Sequence, residues 1–469
     1  MTSVLSAEAS IAEYAPPAPT PRYIPPDAKP TLRGYLRYFQ IMARNPLEIF
    51  TKRNFDDFIQ TSQVFGQKYA LVHDPEAIRR FLVSNAENYR LTRLRRLLFE
   101  PLIGNGLLIA EGESWRRTRR ALTPVFNHRR VRGFAPIMKS VVEEEAEGLG
   151  AQNGEAVSAA DKMLGLALNV LTACLFSGDT AIDTVRFSRN LDRLLELAGM
   201  PHPLDLAGAP DWAPRLGRGE ARRVVAELRN QVDDVVAARR ARSSEADEQD
   251  FLSLLMNAGS EEGAPLTDKE IVDNLITFLA AGHETTARSL TWTLYLLSQS
   301  KNAYALAVEE VDAADLDAID PADWMQALPW TTAVLKESMR LYPAAAIFSR
   351  QAIGPDRLGD VDIPAGMEIV TSPWVLHRHN RLWENPNIFD PSRFLGERGE
   401  AIARYAYMPF GAGPRICIGA SFSMQEMVIA LGVFLKRLLF EDAGECAPDP
   451  VMRITIHPST DVNMRFRMR

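Results

Sequence analysis

The side chains best suited to chemistry lie in ten residues near the C-terminus, Phe410-Gly411-Ala412-Gly413-Pro414-Arg415-Ile416-Cys417-Ile418-Gly419. One cysteine stands in a glycine-punctuated loop, with an arginine two residues ahead of it. The run from Ser421 to Phe440 then carries Met424, Val428, Leu431, Leu435 and Leu438 at helical spacing. A cysteine just before a helix meets unpaired N–H groups and the positive end of the helix dipole, which favour the charged sulfur. The glycines permit close backbone approach. This is an arrangement for presenting a thiolate to a metal.

A second group of reactive types is Ala281-Gly282-His283-Glu284-Thr285-Thr286. A carboxylate next to an alcohol suits proton transfer. Zinc is excluded by spacing, because H-E-x-x-H needs a second histidine where Ala287 stands. A dinucleotide fingerprint fails as well: the G-x-G-x-x-G begun at Gly411 meets Ile416 where its third glycine belongs.

Long elements must position these groups. Thr267-Asp268-Lys269-Glu270 forms a capping box that opens a helix running to Gln299, about 50 Å long at 1.5 Å per residue. Its middle is apolar nearly all round, as in a helix through a core. Gly282 and the threonines weaken it there, since a threonine hydroxyl competes for the carbonyl four residues back, so a local opening is expected. Strands are expected near 68–73, 358–371 and 451–468. Tyr89 to Glu113 reads as an irregular apolar loop, and Arg242 to Asp250 as a mobile polar one. The fold class is mainly α with small β-sheets. Residues 1–30, with Pro16, Pro17, Pro19, Pro21, Pro25 and Pro26, read as a flexible arm, and 31–469 as a single domain.

Three cysteines with no C-x-x-C pair argue against a disulfide framework and for a reducing compartment. The formal charge of -7 argues against nucleic-acid binding. No run approaches 18 uninterrupted apolar residues, so no transmembrane anchor is expected and the cytoplasm is the expected location. Seven arginines between Arg116 and Arg132, without an acidic residue, form a local basic patch.

F-x-x-G-x-R-x-C-x-G from Phe410 resembles the haem-ligand signature of the cytochrome P450 family. [AG]-G-x-[DE]-T-[TS] from Ala281 resembles that family's oxygen-activation motif, and both are filled at every fixed position. The resemblance implies a single-domain fold with haem b between a long distal helix and a proximal cysteine loop, and Cys417 as the axial ligand of the iron. It implies that Phe410 packs beside the sulfur, that Gly411 is among the cofactor-binding residues and that Arg415 meets a haem propionate. Thr285 then holds bound dioxygen, Glu284 helps deliver protons, and Ala281 and Gly282 leave room for oxygen and substrate.

Other segments extend the likeness. Glu337-Ser338-Met339-Arg340 resembles E-x-x-R, and Arg393 the arginine that completes a buried brace. Trp115 and Arg119 resemble W-x-x-x-R, which with Arg350 and His377 would bind propionates. The implied substrate pocket includes the 89–110 loop, residues about 190–220, Phe278, Ala281, Ala345, Ile347, Val451 and Met452, all fitting a hydrophobic small molecule.

The resemblance points to a bacterial-type monooxygenase that hydroxylates or epoxidises a fatty acid, terpenoid, steroid or aromatic compound. With no flavin or nicotinamide motif in the chain, electrons are expected from a separate ferredoxin and ferredoxin reductase. Docking is expected at Arg116, Arg117, Arg120, Arg129 and Arg130. A peroxide-driven hydroxylase and a non-catalytic haem-based sensor or carrier are the alternatives, and the intact Glu284-Thr285 pair argues against both.

Overall fold

A computed structural model describes residues 32–64, 66–176, 184–198, 218–241, 250–258 and 265–469. The proline-rich arm, most of the polar 242–250 loop and residues 199–217 of the expected pocket lie outside the described residues.

The longest helix is the one announced by its cap. Thr267 and Glu270 form the capping box, and the helix spans Asp268–Gln299. Around it stand α1 (Arg93–Ile103), α2 (Gly112–Leu122), α3 (Ala135–Ala151), α4 (Ala159–Phe176), α5 (Arg218–Ala241), α6 (Asp268–Gln299 itself), α7 (Pro329–Leu341) and α8 (Ala420–Arg437). Burial of α6 is nearly complete from Ile271 to Leu297, with the indole of Trp292 stacked 3.9 Å from the ring of Tyr342. A helix enclosed on all sides needs no amphipathic stripe.

The strands are short: β1 (Ile59–Val64), β2 (Gln67–Val72), β3 (Tyr89–Arg90), β4 (Ala156–Ser158), β5 (Phe348–Ala352), β6 (Asp356–Leu358), β7 (Val361–Ile363), β8 (Glu368–Thr371), β9 (Leu438–Asp442), β10 (Pro450–Met452), β11 (Ile456–Pro458) and β12 (Asn463–Met468). Five of them order as β1-β2-β8-β5-β3, three as β4-β12-β9, and the rest pair as hairpins β6-β7 and β10-β11. In the large sheet β2 and β8 run parallel, with Tyr69 opposite Glu368, and the other pairs are antiparallel. A second, smaller core of Ala70, Val72, Ile78, Phe81 and Ile369 backs this sheet.

Several expectations are corrected. The 89–113 segment holds α1, a helix obscured in sequence by Pro101 within it and by Gly104 after it. Helix α8 stops at Arg437, and Leu438 to Phe440 belong to β9, where they pair with β12. Helix α6 does not open at Gly282. The competition from threonine is met by a side-chain bond alone, Thr285 Oγ1 donating to Ala281 O at 2.7 Å. By length and composition α4 is apolar enough to cross a membrane, with mean hydropathy 1.4, and it is mostly buried in the core against α6 and α3.

Candidate active site

The cysteine loop is shaped by close backbone approach. Gly413 has φ +74°, and a Cβ there would stand 1.9 Å from the Leu82 carbonyl oxygen, so no larger residue fits. Cys417 N donates to Phe410 O at 2.9 Å, folding the loop back on itself just before α8. Cys417 has exposed surface, yet enough protein surrounds it that burial pushes its thiol up. Surface exposure combined with deep enclosure means that the sulfur opens into a recess. The Gly419 N–H and the Arg119 guanidinium pull the thiol back down, as expected at a helix start, but desolvation outweighs them in the protein alone.

A cluster of guanidiniums adjoins that sulfur. Arg119 feels the charge of Cys417 and acts in turn on Arg415, while Arg95 acts on both Arg415 and Arg350. Burial and mutual repulsion lower Arg415 to about 10 and Arg350 to about 9, and burial lowers Arg95 to about 10. Glu111 is the one carboxylate bearing on Arg415 and Arg350 among the described residues, and it already pairs with Arg96. Arg415 lies 4.5 Å over the Trp115 ring and donates to Ala110 O at 2.7 Å. Arg95 Nε is buried without a hydrogen-bond partner.

Desolvated cations with too few anions fit a ligand that carries carboxylates, as the haem propionates do. Arg95 was missed in the sequence because its segment read as a loop. The Arg93, Arg95 and Arg96 triplet in an apolar stretch was the available signal.

The brace is assembled. Arg340 donates to both oxygens of Glu337 at 2.6 and 2.8 Å, and Arg393 Nε lies 3.4 Å from Glu337 Oε1. Carbonyl oxygens of His377, Pro386 and Ile388 accept from Arg340, and those of Glu384 and Asn385 from Arg393. His377 sits with this brace instead of with the arginine cluster: its Nε2 accepts from Met408 N at 2.9 Å, and Arg340 and Arg378 are the cations near it.

On the other side of the recess, Ala281 is exposed and Thr285 part-exposed in the middle of an otherwise buried helix. Thr286 Oγ1 lies 3.0 Å from Ser423 Oγ on the first turn of α8, which brings the centre of α6 against the helix that follows Cys417. Gly282, next to Ala281, is part-exposed. A Cβ there would lie 3.2 Å from Leu171, so this glycine serves the close packing of α6 on α4. Phe278 turns into a three-ring cluster with Phe126 and Phe251, at 5.1 and 5.7 Å.

Ala345, Ile347, Val451 and Met452 are part-exposed, and Ile456 N bonds Ala344 O at 3.2 Å, joining the C-terminal hairpin to the 344–347 segment. In the basic patch, Arg116, Arg120 and Arg129 are exposed, Arg116 pairing with exposed Glu87 and Glu113 at 3.3 and 3.6 Å, and Arg117 is part-buried where it pairs with Glu270 at the start of α6.

Comparison with known proteins identifies this arrangement. Residues 32–462 match the family model for cytochrome P450. The chain is 31% identical over 423 residues to cyclooctatin synthase of Streptomyces melanosporofaciens, covering 89% of this chain and 91% of that protein. It is 30% identical over 374 residues to pentalenene oxygenase of Streptomyces avermitilis, covering 78% and 81%. The crystal structure of the cytochrome P450DA heme domain matches with a TM-score of 0.80 at 25% identity, over 96% of this chain and 98% of that one. The fold is that of a haem-binding oxygenase. The chain belongs to the cytochrome P450 family, with haem b as cofactor, and is a monooxygenase.

Proposed function

We propose that residues 31–469 act as one domain that oxidises an apolar, terpenoid-like small molecule, with Cys417 as the haem ligand and electrons from a separate ferredoxin. The observation that carries this reading is the recessed cysteine bordered by arginines short of anionic partners. The apolar substrate class follows from Ala281, Ala345, Ile347, Val451 and Met452, and from relatives named for pentalenene and cyclooctat-9-en-7-ol.

Bound haem supplies the iron at which dioxygen is activated. Arg95, Arg119, Arg350 and Arg415 would hold its carboxylates, and the Trp115 ring limits where Arg415 can turn. The Gly419 N–H and Arg119 stabilise negative charge on Cys417 Sγ. Thr285 Oγ1, which donates to Ala281 O, would turn that hydroxyl into the recess to donate a proton there, and a protonated Glu284 would return a proton to Thr285 Oγ1. The apolar wall grips the substrate and excludes water.

The test is turnover of a hydrocarbon panel with a surrogate ferredoxin and reductase under labelled dioxygen; the product should carry one labelled oxygen. Cys417→Ser should abolish the thiolate-type spectrum of the reduced carbon monoxide complex, and its retention would remove Cys417 from the ligand role. Exposed Arg116, Arg120 and Arg129 are the proposed docking cations, with Arg130 beside them; Arg116 pairs with Glu87 and Glu113, both exposed, whereas Arg117 is part-buried against Glu270. Reversing charge at Arg116 and Arg120 should slow reduction by the ferredoxin, most at low salt, and leave substrate affinity unchanged. Reduction at the wild-type rate across salt would refute docking there.

A further inference from the structure

Glu284 and Thr285 adjoin in sequence, but consecutive helical residues point about 100° apart, and their side chains keep different company. The Thr285 hydroxyl bonds within its own helix to Ala281 O. Glu284 Oε1 instead lies 3.7 Å from Arg288 Nε one turn on, with only 11% and 15% of the two side chains exposed.

The C-terminal hairpin closes over this pair. Thr455, 3% exposed, sits in the turn between β10 and β11 and presents its hydroxyl to the carboxylate. Trp292 Nε1 of α6 donates to Ile456 O at 3.2 Å and fixes the hairpin against the helix. Arg288 and Arg453 both bear on His457 of β11, which burial drives down to about 4 and therefore keeps neutral.

Arg288 is thus the charged group acting on Glu284 among the described residues, and the hairpin adds a hydroxyl. Burial pushes the Glu284 carboxyl up, and Arg288 and Thr455 draw it part of the way back. The contacts are loose: Arg288 Nε, Thr455 Oγ1 and His457 Nε2 are all buried without a partner at full hydrogen-bond geometry. Unfilled polar groups around a carboxylate leave it more than one place to bond.

We propose that Arg288 and Thr455 are positioning residues for Glu284: they park its carboxylate against the C-terminal hairpin, and once that carboxylate has taken up a proton from water, the neutral carboxyl turns toward Thr285, passes the proton to the threonine hydroxyl and returns to Arg288 as the carboxylate. This rests on the reading of Glu284 as the proton donor. The same hairpin carries Val451 and Met452 of the proposed substrate wall, so the parking place lies on an element that substrate touches.

Difference infrared titration of the ferric holoenzyme, with Glu284→Gln as the blank, reads this carboxyl directly. Arg288→Met should raise its midpoint by about one pH unit or more, because an opposite charge has been removed. Thr455→Val should raise it less, and Arg288→Lys should restore most of the shift. In turnover, Arg288→Met should leave KM unchanged, lower product formed per dioxygen consumed, and move the pH profile of that ratio the same way as the carboxyl.

A Glu284 carboxyl that titrates alike in wild type and Arg288→Met overturns the proposal. Should Arg288→Met not fold, Arg288→Gln, which also removes the charge, and Thr455→Val carry the same titration, and two unmoved midpoints overturn it equally. Full coupling in Glu284→Gln would instead defeat the role of Glu284, a result separate from whether Arg288 governs its charge.

Discussion

Two groups of desolvated arginines among the described residues, the brace and the cluster beside Cys417, are built on opposite terms. In the brace, Arg340 and Arg393 share Glu337 and donate to five backbone carbonyls, so each desolvated charge is compensated within the chain. In the cluster beside Cys417, Arg95, Arg350 and Arg415 are drawn together with little carboxylate to offset them. The first set is finished by folding. On the proposed reading the second would be completed by a dianionic ligand, whose carboxylates would offset the surplus positive charge.

Breaking the brace should have the largest effect. Arg340→Met leaves Glu337 buried beside only Arg393, at a cost of about 3 to 5 kcal/mol, and denaturant unfolding should show that loss with or without haem. Stability equal to wild type would mean that the brace does not hold the fold. Arg350→Met should behave differently. Its removal relieves repulsion, so the haem-free protein should unfold no more easily than wild type, while haem passes to an acceptor globin about tenfold faster, as befits one lost charged hydrogen bond. If apoprotein stability falls as far as in Arg340→Met, the contrast between the sets collapses.

A smaller effect separates the sets by pH. Burial holds His377 at about 3 in the folded protein, beside Arg340 and Arg378, against an ordinary value near 6.5. Between those values the unfolded chain binds more protons, so stability is complete above about pH 6.5 and declines as pH falls toward 3. His73, also held at about 3, adds to the same slope. His377→Gln should flatten part of it in denaturant midpoints taken across pH. An unchanged slope would detach His377 from the acid weakness of the brace.

Legibility in the sequence followed how local each interaction is. The capping box of α6, the cysteine loop and the Glu337–Arg340 pair all depend on residues within a turn or two, and they could be read from spacing. Arg95 could not, because Pro101 and the glycines masked α1 and because its neighbours Arg350 and Arg415 are more than 250 residues away. The packing role of Gly282 was hidden for a similar reason: Leu171, which it accommodates, lies on another helix.

The amino-acid sequence by itself determined the thiolate loop, the acid-alcohol pair and the Glu337–Arg340 half of the brace, since close spacing fixes which of these groups share a turn. Only the tertiary structure decided that His377 serves the brace, that Arg117 is tied to Glu270, and that Glu284 rests against Arg288 and the last hairpin. Those outcomes depend on which surfaces desolvate together, a property of the packed molecule and of no segment alone.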